Sequence, residues 1–203
     1  MNLLQLATLS LMLVGFTSAP VLLTNSAMAE SKPVVAASFT KPVKEETTET
    51  IPWSARRILS WNDFQGAPRR NTDAVASTST SLGIAYQLRN GELTYEVTCT
   101  FSKPKSWGST RTPYILAHEQ AHFDITELFA RKLNQRLQEY QFNKKSYRQD
   151  LNAIYQSVVA EKEAMQQAYD GETDHSRRKR IQYEWLDRIE KMLEQTTPYA
   201  TYP

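Results

Sequence analysis

The sequence predicts an α+β domain, a small antiparallel β-sheet with a hairpin followed by a three-helix bundle whose first helix carries an HExxH motif. Three observations lead there. Strand-like alternation and turn chemistry are confined to residues 58–101. Everything after Thr112 has helical character. His118-Glu119-Gln120-Ala121-His122 sits near the start of that helical half.

The elements follow in order. No charged residue precedes Glu30, Leu3 to Phe16 is mostly apolar, and Ala27-Met28-Ala29 supplies an A-x-A cleavage site, so residues 1–29 read as an export signal peptide. An uncleaved anchor is the alternative, because apolar residues resume at Pro20 to Leu23. Residues 30–52 are poor in large apolar side chains and read as a flexible tether, with the folded domain at 53–196 and a tail at 197–203. Trp61-Asn62-Asp63-Phe64 leads into a turn at Gly66-Ala67-Pro68, and Ala74 to Leu88 reads as extended. Asn90-Gly91 between Ile84–Arg89 and Glu92–Phe101 demands positive φ at both central residues, which specifies a type I′ hairpin. In its second strand Leu93, Tyr95, Val97 and Cys99 share one face.

The first helix is expected from about Thr112 to Tyr140, the second from about Ser146 to Tyr169 with Asp170-Gly171 as its break, and the third from about Ser176 to Gln195. At 100° per residue, His118 and His122 share the apolar stripe of the first helix with Ile115, Ile125, Phe129 and Leu133. Asp124, Glu127 and Arg131 fall opposite, where Glu127 and Arg131 would form a solvent-facing i,i+4 pair.

Composition limits the function classes. Twenty-four basic against 22 acidic residues give a net charge of +2, which offers no strong attraction to nucleic acid or to anionic membranes. Arg177-Arg178-Lys179-Arg180 is a local exception, read as a solvated helix start that could also attract an anionic substrate. One cysteine, Cys99, excludes an intramolecular disulfide and reads as a small buried hydrophobe, compatible with a bacterial periplasm. After signal cleavage a monomer that is not an integral membrane protein is expected, periplasmic or secreted.

The motif carries the chemistry. Positions i and i+4 lie one turn apart on one helix face, so both imidazoles can bind the same Zn2+ ion, with Glu119 beside it as general base toward an attacking water. A buried histidine pair without metal is the bland alternative. A catalytic zinc usually has three protein ligands. The only other histidine is His175, in Asp170-Gly171-Glu172-Thr173-Asp174-His175. The second helix returns antiparallel to the first, which brings this connection back to the level of His118 and His122 and favours His175 as third ligand. Glu172, Asp174 and Asp170 are the oxygen alternatives. No glycine and histidine follow at metzincin spacing. Tyr183, or else Tyr169, could stabilise an oxyanion.

His118-Glu119-Gln120-Ala121-His122-Phe123-Asp124-Ile125, with Glu127-Leu128 and Ala130-Arg131-Lys132-Leu133, resembles a domain-of-unknown-function family of predicted secreted bacterial zinc-dependent proteases. Trp61-Asn62-Asp63-Phe64-Gln65-Gly66, Ser106-Trp107, Tyr169-Asp170-Gly171-Glu172-Thr173-Asp174-His175 and Gln182-Tyr183-Glu184-Trp185 extend the likeness over about residues 58–190. Ser176 departs from it, standing where glycine is expected after the histidine. The resemblance implies a zinc metallopeptidase of the bacterial envelope acting on a peptide or protein substrate. The other readings are an amidase acting on cell-wall peptides, a non-catalytic zinc-stabilised binding protein, and an envelope scaffold without metal.

Overall fold

A computed structural model describes residues 47–70 and 72–201. The expected signal peptide, and the tether up to residue 46, lie outside the described residues. Among the described residues five strands run β1 (Thr50–Pro52), β2 (Ala76–Ser77), β3 (Thr80–Arg89), β4 (Glu92–Ser102) and β5 (Trp107–Gly108). Three helices follow as α1 (Pro113–Glu139), α2 (Tyr147–Thr173) and α3 (Lys179–Gln195). The expected α+β architecture is present, a small antiparallel sheet and then three helices.

The hairpin forms as its turn chemistry requires. Asn90 has φ 51° and Gly91 φ 80°, and Arg89 pairs with Glu92 across them. β4 is the central strand, with β3 on one side and β1 on the other, where Ile51 faces Phe101. The last residues of the expected tether therefore belong to the sheet, because Ile51 is fully buried there. Leu82, Leu93, Val97, Cys99 and Phe101 turn one sheet face into the core against α1. β2 and β5 pair separately. At Gly108 any Cβ would come within 2.5 Å of the Trp61 ring. The absent side chain admits that indole, whose Nε1 donates to Thr112 O (3.2 Å) at the entrance to α1.

α1 packs on the sheet through one face and on α2 and α3 through others. This overturns one expectation. Asp124, Glu127 and Arg131 are buried, not solvent-facing. Their charges are satisfied by neighbours one turn away on α1 together with residues distant in sequence. Asp124 accepts from Trp53 Nε1 (2.8 Å), Arg57 Nη2 (2.9 Å) and Gln120 Nε2 (3.0 Å). Arg131 Nε donates to Glu127 (2.8 Å) and its Nη1 to Leu193 O (2.6 Å). A buried charge is tolerated only when paired in this way.

Two boundaries also differ. α2 does not break at Asp170-Gly171 but runs on to Thr173, whose buried hydroxyl donates to Tyr169 O (2.7 Å). The intrinsic cost of one helical glycine, about 1 kcal/mol, is outweighed by packing. Residues 197–199 of the expected tail form a 3-10 turn against α1, with Asn134 Nδ2 donating to Tyr199 O (2.8 Å). Among the described residues no helix is long and apolar enough to cross a membrane.

Two stability predictions follow from this packing. Glu127→Ala leaves the Arg131 guanidinium buried without its carboxylate and is expected to cost about 3–5 kcal/mol in urea unfolding, against well under ~1 kcal/mol for a solvent pair. Asp63 supplies a pH dependence. Burial pushes its carboxyl up, but the paired hydrogen bonds from Arg56 (2.7 and 3.0 Å) and those from the Ser60 N–H and hydroxyl (2.6 and 2.9 Å) more than offset this, so its pKa lies below the ordinary value. A lowered folded pKa stabilises fully above the ordinary carboxylate pKa, and that stability is lost as pH falls through the lowered value. Asp63→Asn is expected to flatten the acid limb of a stability–pH curve. An unchanged limb would show that Asp63 carries none of it.

Candidate metal centre

α1 starts at Pro113, after Thr112 has accepted the Ile115 N–H on its hydroxyl (3.2 Å). One turn later the helix places His118 and His122 toward α2, which runs back antiparallel along it. His118 and Glu119 are buried and His122 nearly so. From α2, Asp170 meets both rings, its Oδ1 lying 3.1 Å from His118 Nε2 and 3.1 Å from His122 Nε2. These three residues each offer one ligand atom, and all three atoms lie within 4.8 Å of one another.

Tyr169, the preceding residue on α2, walls the site. Its fully buried ring stacks on His118 (centroids 4.6 Å, 22° between planes) and meets His122 and Trp185 edge-on. Its hydroxyl donates to His118 O (3.5 Å), and burial first, then the Glu119 and Asp170 charges, push its pKa far up. It is a packing residue, not a free hydrogen-bond donor. The other ring nitrogen of His122, Nδ1, hydrogen-bonds Gln166 on α2.

The electrostatics are those of coupled opposite charges. Burial opposes ionisation of Asp170, yet the two imidazoles hold its carboxyl well below the usual carboxylate range. Burial likewise opposes charging of His122, and the Asp170 carboxylate, with Glu119 behind it, raises its pKa nonetheless.

The donor set fits a divalent ion. Two imidazole nitrogens and one carboxylate oxygen are the ligand types zinc takes, and bonds of about 2.0–2.1 Å in a tetrahedral site separate neighbouring ligand atoms by roughly 3.3–3.4 Å, close to the 3.1 Å between each Nε2 and the Asp170 oxygen. Glu119, between the two histidines in sequence, has its Oε2 buried with no hydrogen-bond partner among the described residues.

The structure brings His118 and His122 together and adds Asp170 to them. His175, expected as third ligand, lies at the rim with its side chain 62% exposed and Nδ1 3.8 Å from Asp170 Oδ1. Glu172 accepts from Trp185 Nε1 (2.8 Å) and Asp174 pairs with Arg177 (3.3 Å). Tyr183 is 60% exposed on α3 and packs edge-on against Tyr114, one turn before His118. Gln166 went unnoticed in the sequence, although its i,i+4 spacing to Asp170 mirrors that of the two histidines.

Asp174, His175 and Ser176 all have positive φ (51°, 49° and 71°), a left-handed run that lets the chain leave α2 and turn into α3. Ser176 O accepts the Tyr114 hydroxyl (2.6 Å), pinning this turn to α1.

The family model described as "Bacterial protein of unknown function (DUF922)" matches residues 41–176, and the chain belongs to that family. The match takes in His118, His122, Asp170 and His175. No curated protein and no solved structure matches the chain.

A left-handed conformation costs a non-glycine residue roughly 1–2 kcal/mol, part of which glycine returns as chain entropy. Ser176→Gly is therefore expected to stabilise the protein by up to about 1 kcal/mol, read as a higher melting temperature. A lower one would mean that the buried Ser176 side chain contributes more than its backbone costs.

Proposed function

We propose that this bacterial protein is a zinc-dependent metallopeptidase in which His118, His122 and Asp170 hold the metal and Glu119 is the general base. The observation that carries the reading is the approach of two imidazole Nε2 atoms to one carboxylate oxygen at 3.1 Å each, beside an unpartnered Glu119 oxygen. The HExxH spacing and the resemblance to zinc-dependent proteases support the same reading. Asp170 replaces His175 as third ligand because it alone among the alternatives meets both rings. The sequence ahead of Glu30 supports a periplasmic or secreted location, and a peptide or protein is the substrate.

Bound there, zinc would polarise the scissile carbonyl and activate water near neutral pH. The protein's own groups do the rest. Glu119 accepts the proton of the attacking water and delivers it to the leaving amine. Asp170 offsets the positive charge of the site. The Tyr169 ring shields one side of His118 from water. Tyr183, exposed where Tyr169 is not, is the tyrosine free to donate to a developing oxyanion.

Elemental analysis of dialysed protein and a peptidase assay test this together. Wild type is expected to hold about one zinc per chain. Glu119→Gln should keep the zinc and lose turnover by at least ~10²-fold, Asp170→Ala should lose zinc, and His175→Ala should keep it. Zinc-loaded wild type that cleaves only cell-wall peptides would move the reading to an amidase. Activity retained in zinc-loaded Glu119→Gln would sink the mechanism, and folded protein that takes up no zinc would reduce the site to a buried histidine pair.

A further inference from the structure

We propose that Gln166 is a positioning residue that fixes which nitrogen of His122 carries the proton, and through this sets the affinity of the site for zinc. The inference rests on the metal reading above and assigns Gln166 a part in it.

The backbone carbonyl of His122 can only accept. Gln166 Nε2 lies 2.9 Å from the backbone carbonyl of His122, and a carbonyl cannot donate. The amide nitrogen of Gln166 must therefore face that carbonyl, where it also reaches Thr126 Oγ1 (3.3 Å). This settles the orientation of the amide, and its oxygen is turned to His122 Nδ1. An amide oxygen can only accept, so Nδ1 must be the donor. In the neutral ring the proton then sits on Nδ1, and the Nε2 lone pair points at Asp170. Two acceptors 3.1 Å apart repel unless a proton or a metal ion lies between them.

The Gln166 amide is itself held. Thr126 donates to His122 O (3.0 Å) or shares a hydrogen with Thr80 Oγ1 (2.7 Å) on β3, so the clamp ties α1, α2 and the sheet. Gln166 and Asp170 occupy successive turns of one face of α2, as His122 and His118 do on α1. One helix face thus supplies a metal ligand and the group that prepares the opposite ligand. His118 has no counterpart, its Nδ1 being buried without a partner among the described residues. Among the described residues, Gln166 is what holds the His122 proton on Nδ1. The competing tautomer donates from Nε2 to Asp170, which directs both groups away from an ion.

The test compares wild type, Gln166→Leu and Gln166→Glu. Zinc affinity is read by competition with a chromophoric chelator, and ring protonation by 15N–1H spectra of the metal-free proteins at a pH where His122 is neutral. Gln166→Leu is expected to weaken zinc binding about 10–100-fold and to shift His122 to the Nε2–H form. Gln166→Glu loses the amide's bonds to His122 O and Thr126 but still offers an acceptor to Nδ1, so it should retain Nδ1–H where Gln166→Leu does not, which separates the lock from mere packing. Zinc binding in Gln166→Leu as tight as in wild type would overturn the inference while leaving the metal site standing. Wild type that takes up no zinc would overturn the metal reading and the affinity claim with it. The ring spectra would then still decide the tautomer claim, since the same His122 form in wild type and Gln166→Leu refutes it.

Discussion

The antiparallel contact between α1 and α2 is the constraint on which the site depends. It sets His118 and His122 at one spacing on α1 against Gln166 and Asp170 at the same spacing on α2, so that one carboxylate oxygen meets two imidazoles. Such an arrangement is costly to bury unless its charges balance. The surrounding structure holds it closed. Tyr169 stacks under His118, Trp185 lies edge-on to Tyr169, and the Ser176 carbonyl is fastened to Tyr114. The sheet, pressed on another face of α1 through Leu93, Val97 and Phe101, fixes where that helix can lie.

What could be read in advance was local. Asn90-Gly91 announces the hairpin because few other dipeptides accept two positive φ angles, and the alternation in Glu92–Phe101 marks the core face of β4. The histidine pair was legible for the same reason, since its i,i+4 geometry needs only one helix. Periodicity failed where the partner is remote. Asp124, Glu127 and Arg131 look like a solvated stripe, and only Trp53, Arg57 and the end of α3 make them a buried one. The carboxylate that meets the two rings was hidden for a similar reason. Gly171 reads as a helix break, which frees the following loop and favours His175, whereas packing keeps the helix intact and places Asp170 inside it.

The turn after α2 joins the two levels. The resemblance led to an expected glycine at position 176, and the backbone there is left-handed, as are the two residues before it. The chain accepts this strain to leave α2 directly at the site, with His175 at its rim, and to enter α3. The family description, bacterial and of unknown function, does not supply the chemistry. The proposal of metal-assisted amide hydrolysis is supported instead by the donor set, two imidazoles and a carboxylate that could hold a metal ion.

The most direct measurement of that claim is a crystal structure of zinc-soaked protein with anomalous data collected at the zinc edge. One anomalous peak is expected on the α1–α2 contact, about 2.0–2.2 Å from His118 Nε2, His122 Nε2 and an Asp170 oxygen, with His175 uncoordinated. A peak elsewhere, or both imidazoles still hydrogen-bonded to Asp170 with no zinc between them, would contradict it.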